Sequence, residues 1–119
     1  MIDLYTWKTS NGRKASIMLE ECGLRYNTHP IDIGKGDQFT PQFLALNPNG
    51  KIPAIADSEG PDGKPIVLFE SGAILVYLAE GSPFWPEDRW QRAQALQWMF
   101  FEQYSHEPYV AVARFVCGW

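Results

Sequence analysis

Two stretches of the sequence carry residue types that could bind a small charged ligand. In the first, Asn47–Asp57, a turn-rich loop leads through Ile52-Pro53 into a short apolar strand. A proline directly before a buried strand removes a donor from the hydrogen-bond ladder. A cis Ile52–Pro53 bond explains this position, since an X-Pro bond loses only about 0.5–1 kcal/mol in the cis form. The bend would turn the N–H and C=O of Ile52 outward, where they could pair with an extended peptide.

The second stretch, Leu68–Leu78, passes through Glu70-Ser71-Gly72 into a very apolar helix. The first N–H groups of a helix have no intrahelical partners, so a helix start is a natural site for an anion. If the two stretches lie side by side, the helix start would bind a carboxylate at the far end of the peptide. The sequence therefore predicts a site for an extended, charged peptide.

Strands and helices must hold these two stretches, and the hydropathy pattern predicts them. Ile2–Thr6 alternates apolar and polar residues and is predicted to be a strand. After the loop Trp7–Gly12, apolar residues recur with a helical period at Ala15, Met18, Leu19 and Cys22. Ser10 or Asn11 is the expected N-cap of this helix, and Gly23 is the expected stop.

The remaining elements of the first 80 residues complete an α/β order. The pattern predicts a strand at Tyr26–Ile33, a helix at Pro41–Leu46 begun by Thr40, strands at Pro53–Asp57 and Ile66–Phe69, and a helix at Ser71–Glu80. The first two strands need a crossover helix, so they are expected to be parallel. A hairpin followed by a helix forms the second half. The resulting βαβ-αββα order is the thioredoxin-like arrangement.

The chain changes character after residue 80. Residues 81–86 are predicted to form a linker, and residues 87–119 the first helix or helix pair of an incomplete all-α domain. Pro108 is expected to kink or end this helix. Its aromatic residues exceed what one helix can bury, so self-association, as a homodimer, is expected. They are Trp98, Phe100, Phe101, Tyr104, Tyr109, Phe115 and Trp119.

Composition narrows the classes of protein. The 119 residues carry a formal net charge of −4, which argues against nucleic acid and anionic membranes as partners. No apolar run approaches the roughly 20 residues that span a bilayer, and the first residues lack a signal-peptide pattern, so a cytoplasmic protein is expected. Cys22 and Cys117 form no CxxC, so neither a metal site nor a dithiol redox motif is predicted.

The pattern Asn-Pro-x-Gly-Lys-Ile-Pro-x-Ile, followed by Phe-Glu-Ser-Gly-Ala-Ile, resembles the glutathione site of glutathione transferases. The opening Met1–Tyr5, Thr9–Gly12 and Gly34–Phe39 are similar to the bacterial nu class. The resemblance covers nearly the whole chain. Members of the family carry a full helical second domain, whereas this sequence reaches only its first helix or helix pair.

The resemblance implies that this protein lowers the pKa of the glutathione thiol with donors aimed at the sulfur. These donors would come from the loop after the first strand, where Thr9 and Asn11 are the best candidates and Ser10 is a third. Thr9 and Asn11 are assigned by similarity to the nu class, whereas Tyr5 is interpreted as structural. The alternative interpretation of this loop is that Ser10 or Asn11 only caps the helix.

The resemblance also implies partners for the rest of glutathione. The backbone of Ile52, held by Pro53, would pair with the cysteinyl residue, with Asn11 also in contact. Ser71 would bind the γ-glutamyl carboxylate, and Glu70 the ammonium group. Gln38 and Lys51 would meet the glycyl end, although Lys51 could equally be a solvated lysine.

The expected function is therefore a glutathione-dependent enzyme that transfers glutathione to electrophiles or reduces disulfides, with glutathione as the only essential thiol. The alternative is a glutathione-binding or interaction module without catalysis. A glutaredoxin-like oxidoreductase fits least, because the loop has no cysteine where the nucleophile would stand. Cys22 is interpreted as an inert core residue, and His29 and His106 as polar groups rather than ligands.

Overall fold

The computed structural model describes residues 1–118, so Trp119 and its predicted aromatic contribution lie outside the described residues. By its internal contacts the chain divides into one unit of Met1–Glu80 and a second that begins at Gly81. The strands are β1 (Ile2–Thr6), β2 (Tyr26–Pro30), β3 (Ala54–Asp57) and β4 (Ile66–Phe69). The helices are α1 (Ser10–Glu21), α2 (Pro41–Leu46), α3 (Ser71–Ala79), α4 (Arg89–Phe101) and α5 (Glu107–Cys117).

The first unit is a mixed sheet with the strand order β2-β1-β3-β4. β1 runs parallel to β2 and antiparallel to β3, and β3 runs antiparallel to β4. The predicted parallel pair is therefore confirmed, and so is the thioredoxin-like α/β order. Ile2 and Leu4 of β1 are buried, whereas Asp3 and Tyr5 are half-buried, because successive side chains of a strand point to opposite faces of the sheet.

The core of the first unit forms between the sheet and the helices α1 and α3. Leu4 of β1, Leu19 of α1, Ile55 of β3 and Ile74 of α3 are completely buried. Ala15 lies one helical turn before Leu19 and is also buried, as the helical period predicted. Each of the leucine and isoleucine side chains contributes roughly 1.5–3 kcal/mol when it is fully removed from water. This packing fixes the ends of the strands, where the candidate site lies.

β2 is shorter than predicted, because it ends at Pro30 and not at Ile33. The chain turns away from the sheet, and the Asp37 carboxylate accepts a 2.9 Å hydrogen bond from the Asp32 amide. The Asp32 carboxylate in turn accepts from the Gly34 amide at 3.0 Å. Side-chain acceptors of this kind compete with strand pairing. A short 3₁₀ turn at Asp37–Phe39 follows, which the sequence pattern did not predict.

In the second unit, the Asp88 carboxylate caps α4 by accepting from the Gln91 amide at 2.9 Å. The helical path continues through a π-helical segment at Glu102–His106 into α5. Pro108 therefore does not end the helical path. It stands in the first turn of α5, where its missing N–H is tolerated, directly after the wider π-helical turn. Among residues 1–118, no helix is long and apolar enough to cross a membrane.

Candidate functional site

The strand register brings three loop segments to one edge of the sheet. Tyr5 pairs with Ala54, and Ala54 pairs with Phe69. The loop after β1, the residues before β3 and the residues after β4 therefore meet at the same edge. We call this the cis-proline edge and define it as residues 7–11, 51–53 and 70–72. It joins the two sequence stretches that were predicted to form one site.

The Ile52–Pro53 peptide bond at this edge is cis, as predicted. Neither the N–H nor the C=O of Ile52 is paired with any of residues 1–118. Ile52 is half-buried, and Pro53 beside it is buried. An extended peptide could pair with both groups of Ile52 in the manner of an added strand.

The N-cap of α1 is Thr9, which corrects the expectation of Ser10 or Asn11. The Thr9 hydroxyl oxygen accepts a 3.0 Å hydrogen bond from the Gly12 amide. Ser10 is exposed in the first position of the helix. A hydroxyl group can accept one hydrogen bond and donate another, so Thr9 can cap the helix and still donate to an anion.

Two buried side-chain oxygens within the described residues have no hydrogen-bond partner: Asn11 Oδ1 and Gln38 Oε1. The other end of the Gln38 amide donates to the Ile33 carbonyl at 3.3 Å. A buried acceptor left without a donor costs about 1–3 kcal/mol, so native structures rarely leave one unsatisfied. Both oxygens belong to residues that the sequence assigned to ligand binding, and a bound polar molecule could satisfy them.

Glu70 and Ser71 start α3 at this edge. Glu70 has a positive φ of 74°, which is rare for a residue with a side chain. It occupies the N-cap position, yet its carboxylate makes no capping hydrogen bond. Ser71 is buried in the first position of the helix. An exposed carboxylate beside the amides of a helix start offers partners for both the ammonium and the carboxylate of an amino acid.

The loop before Ile52 packs against the segment that carries Gln38. A Cβ atom on Gly50 would lie 3.2 Å from the Phe39 ring and 3.4 Å from the Gln38 carbonyl oxygen. Gly50 also has a φ of +63°, so both its backbone and its surroundings favour glycine. Lys51, the next residue, is exposed. Its exposure fits both a ligand-binding lysine and a solvated one.

Tyr5 and His29 contact each other on the sheet. Their rings stack at a centroid distance of 4.7 Å, and His29 Nε2 lies 2.8 Å from Asp3 Oδ1. The hydrogen bond from His29, aided by one from Asn27, holds the pKa of Asp3 below its usual value. Desolvation is the main cause that raises the pKa of Tyr5. These residues bind one another, in keeping with the structural interpretation of Tyr5.

Neither cysteine belongs to the segments that define the cis-proline edge. Cys22 is half-buried at the end of α1, where its thiol lies 3.6 Å from the Met18 sulfur. It is therefore less buried than a core residue, which corrects the sequence interpretation. Cys117 is exposed near the end of α5. No cluster of potential metal ligands occurs among the residues that the structure describes.

The fold and the site together define a class of protein: a thioredoxin-like domain with a candidate binding site beside a cis-proline. The family model described as "Glutathione S-transferase, N-terminal domain" matches residues 10–80, more than half of the sequence. The chain therefore belongs to the glutathione S-transferase family through this domain.

Similar proteins carry both enzymatic and regulatory names. The chain is 51% identical to the disulfide-bond oxidoreductase YfcG of Escherichia coli, over 86% of this chain and 48% of that protein. It is 36% identical to the transcriptional regulator URE2 of Saccharomyces cerevisiae, over 87% of this chain and 30% of that protein. The chain thus spans about half, or less, of the length of these relatives.

A crystal structure of a glutathione transferase from Burkholderia graminis has the same fold, with a TM-score of 0.83 and 53% sequence identity. The similarity covers 86% of this chain and 43% of that one. Two glutathione molecules are bound to each subunit of the Burkholderia protein.

Proposed function

We propose that this protein binds glutathione at the cis-proline edge and activates its thiol for disulfide reduction or transfer to an electrophile. The observation that carries the proposal is the register Tyr5–Ala54–Phe69, because it assembles the three segments that the glutathione pattern requires. The similarity to YfcG favours disulfides as the oxidised substrates.

In this proposal, each charged or polar part of glutathione has a partner at this edge or in the segment around Gln38, which packs against Gly50. The unpaired N–H and C=O of Ile52 pair with the backbone of the cysteinyl residue. The amides at the start of α3 and Ser71 bind the γ-glutamyl carboxylate, while Glu70 binds its ammonium. Gln38 and Lys51 meet the glycyl end.

The sulfur lies beside the start of α1 in this proposal. The Thr9 hydroxyl and the Asn11 side-chain amide donate to it, with Ser10 adjacent. Each hydrogen bond to an ionised group stabilises it by about 1.5–3 kcal/mol, and the helix dipole also favours an anion here. Since a free thiol has a pKa of about 8.5, stabilising the thiolate raises the reactive fraction at neutral pH.

Disulfide reduction then needs no thiol of the protein. The glutathione thiolate attacks one sulfur of the disulfide, forms a mixed disulfide and releases the other sulfur as a thiolate that takes up a proton. A second glutathione attacks the glutathione sulfur of that mixed disulfide. The products are glutathione disulfide and two thiols, so the two electrons come from two glutathione molecules.

The test combines glutathione calorimetry with turnover of hydroxyethyl disulfide. We expect saturable binding and turnover, and weaker binding when Ser71→Ala removes a ligand contact. S-methylglutathione should bind but support no turnover, because it lacks the thiol. A protein that binds no glutathione would contradict the proposal.

The second candidate is a glutathione-binding interaction module, and the similarity to URE2 is the observation that favours it. Glutathione binding without turnover of any small disulfide or electrophile would support this function. Turnover that falls with glutathione-site substitutions would exclude it.

We also propose that the protein forms a homodimer. The exposed aromatic residues of the second unit motivate this proposal, with Trp98, Phe100, Tyr104, Tyr109 and Phe115 all exposed. Sedimentation equilibrium of the purified chain tests it, and a monomer at high concentration would contradict it.

A further inference from the structure

Asn47 lies in the loop before the cis-proline edge, and each of its polar groups makes a hydrogen bond. The residue is only 1% exposed. Its amide donates to the Phe43 carbonyl at 2.9 Å, which ties the loop to the end of α2, and its carbonyl accepts from Gly50 at 2.9 Å. Its side-chain oxygen accepts from the Asn49 amide at 2.9 Å, and its side-chain nitrogen donates to the Lys51 carbonyl at 2.7 Å.

The last of these contacts reaches the proposed glutathione site through a single peptide group. The Lys51 C=O and the Ile52 N–H belong to the same planar peptide unit. In this trans peptide the two groups point in opposite directions. The Asn47 side chain holds the C=O toward the interior of the loop, so the Ile52 N–H must point away from Asn47.

We propose that Asn47 is a positioning residue that fixes the plane of the Lys51–Ile52 peptide and thereby aims the Ile52 N–H at the bound ligand. This inference rests on the proposed glutathione site. Two effects act together. The hydrogen bond removes the rotational freedom of the peptide plane before ligand arrives, and donation to the C=O polarises the peptide, which strengthens its N–H as a donor.

The short loop supports this assignment. Gly50 packs closely on Phe39, next to Gln38. The loop is therefore held by this contact as well as by its hydrogen bond to the end of α2. A rotated peptide at Lys51 would leave a buried amide nitrogen of Asn47 without a partner, which is unfavourable. These contacts therefore favour the observed orientation of the peptide in the absence of ligand.

The variant Asn47→Asp separates positioning from general stability. It keeps an acceptor for the Asn49 amide but replaces the donor to Lys51 with an oxygen. We expect the dissociation constant for glutathione to rise roughly tenfold, the effect of one lost hydrogen bond of this type. In the unligated variant, the NMR signal of the Ile52 amide should also move, because its peptide group has lost a polarising partner.

Tyr77→Phe is the matched control. Tyr77 donates a 2.8 Å hydrogen bond to the buried Asp57 carboxylate, and Asp57 pairs with Ile2 and Ile66 at the opposite end of the strands. This variant should lower the Tm but leave the glutathione dissociation constant within about twofold, because it removes one hydrogen bond far from the ligand. Equal losses of affinity in Asn47→Asp and Tyr77→Phe at equal loss of Tm would overturn the proposal.

A measurement on the unmodified protein remains decisive if Asn47→Asp fails to fold. Glutathione should slow hydrogen exchange at both the Ile52 N–H and the Asn47 side-chain amide, since the two are coupled through one peptide. Protection of Ile52 without any change at Asn47 would overturn the inference. If the unmodified protein binds no glutathione while the Ile52 signal still moves in Asn47→Asp, the proposed function fails and the orientation of the peptide stands.

Discussion

The Thr9 hydroxyl lies 3.0 Å from the Gly12 amide, so the residue that caps α1 is also the residue proposed to face the glutathione sulfur. Thr9→Ala should therefore lower both stability and turnover. Loss of an N-cap costs about 0.5–2 kcal/mol, and loss of a donor to a thiolate lowers turnover about tenfold or more. Urea unfolding and disulfide turnover measure the two effects.

Two further Thr9 variants separate the roles. Thr9→Ser keeps both the cap and the donor, so it should resemble the unmodified protein. Thr9→Asp keeps a capping acceptor but has no proton to donate and repels a thiolate, so it should stay stable and lose turnover. Full turnover in Thr9→Asp would move the donor role to Asn11, Ser10 or the helix amides.

Glu70 offers a test in which stability and binding change in opposite directions. A non-glycine residue at its φ of 74° carries about 1–3 kcal/mol of backbone strain. Glu70→Gly relieves this strain, so after the entropic cost of glycine we expect a stabilisation of about 1 kcal/mol. Glutathione binding should weaken, because the carboxylate proposed to meet the ammonium is lost.

Glu70→Gln is the control for this prediction. It keeps the strained backbone and the size of the side chain but removes the charge, so stability should hardly change while glutathione binding weakens. Chemical unfolding and calorimetry provide the two values. Stronger glutathione binding in Glu70→Gly than in the unmodified protein would remove Glu70 from the site.

The loss of folding stability at low pH should depend on Asp3. Hydrogen bonds from His29 and Asn27 lower its pKa below 3.8 in the folded protein, so the folded state favours the carboxylate. Its contribution is present above pH 3.8 and is lost as the pH falls through the lowered pKa. The stability difference between the unmodified protein and Asp3→Asn should therefore shrink in acid, although solvent screening keeps it small.

Unfolding midpoints measured from neutral pH into this acid range provide the test. Asn27→Ala removes the weaker of the two side-chain partners and should show the same trend with a smaller amplitude. Curves for the unmodified protein and Asp3→Asn that stay parallel throughout would contradict the prediction.

The cysteines should be dispensable for activity. Cys22 caps the far end of α1, about 18 Å from the Thr9 end for a helix of 12 residues. The double variant Cys22→Ala, Cys117→Ser should therefore retain the parent's disulfide turnover, with glutathione as the only essential thiol. Loss of turnover with intact folding would instead support a glutaredoxin-like mechanism that uses a protein thiol.

Much of the fold could be predicted because several local signals agree. The alternation of Ile2 and Leu4, the helical period of Ala15 and Leu19, and the stop at Gly23 all match the structure. The Ile52–Pro53 bond was predicted as cis from the position of the proline alone. These signals act over a few residues, so a single sequence is enough to read them.

The details of the site depend on contacts that a local pattern does not contain. Thr9, Ser10 and Asn11 can all cap a helix, and the choice follows from tertiary packing. A Cβ on Gly12 would lie 2.5 Å from both the Thr6 hydroxyl and the Trp7 carbonyl, so glycine must sit where α1 meets β1. The amide of this closely packed glycine is the donor to the Thr9 hydroxyl, so Thr9 is the cap.

The sequence did not point to the proposed role of Asn47 for a similar reason. Its sequence neighbours, Pro48 and Gly50, indicate a turn, but the hydrogen bond from its side chain to Lys51 depends on how that turn closes. The low exposure of an asparagine next to a turn is visible only in the folded chain. The signal that could have pointed to it is the position of this amide residue at the start of the motif that ends in Ile52-Pro53.

The meeting of β1, β3 and β4 at the cis-proline edge has a kinetic consequence. Tyr5 is far along the chain from Ala54 and Phe69, and a non-local pairing forms only after the entropy of closing a long loop has been overcome. A ligand that needs all three segments recognises only the finished domain. Such a ligand slows unfolding and leaves the folding rate unchanged. Glutathione should therefore lengthen the lifetime of the folded domain while refolding proceeds at the same rate.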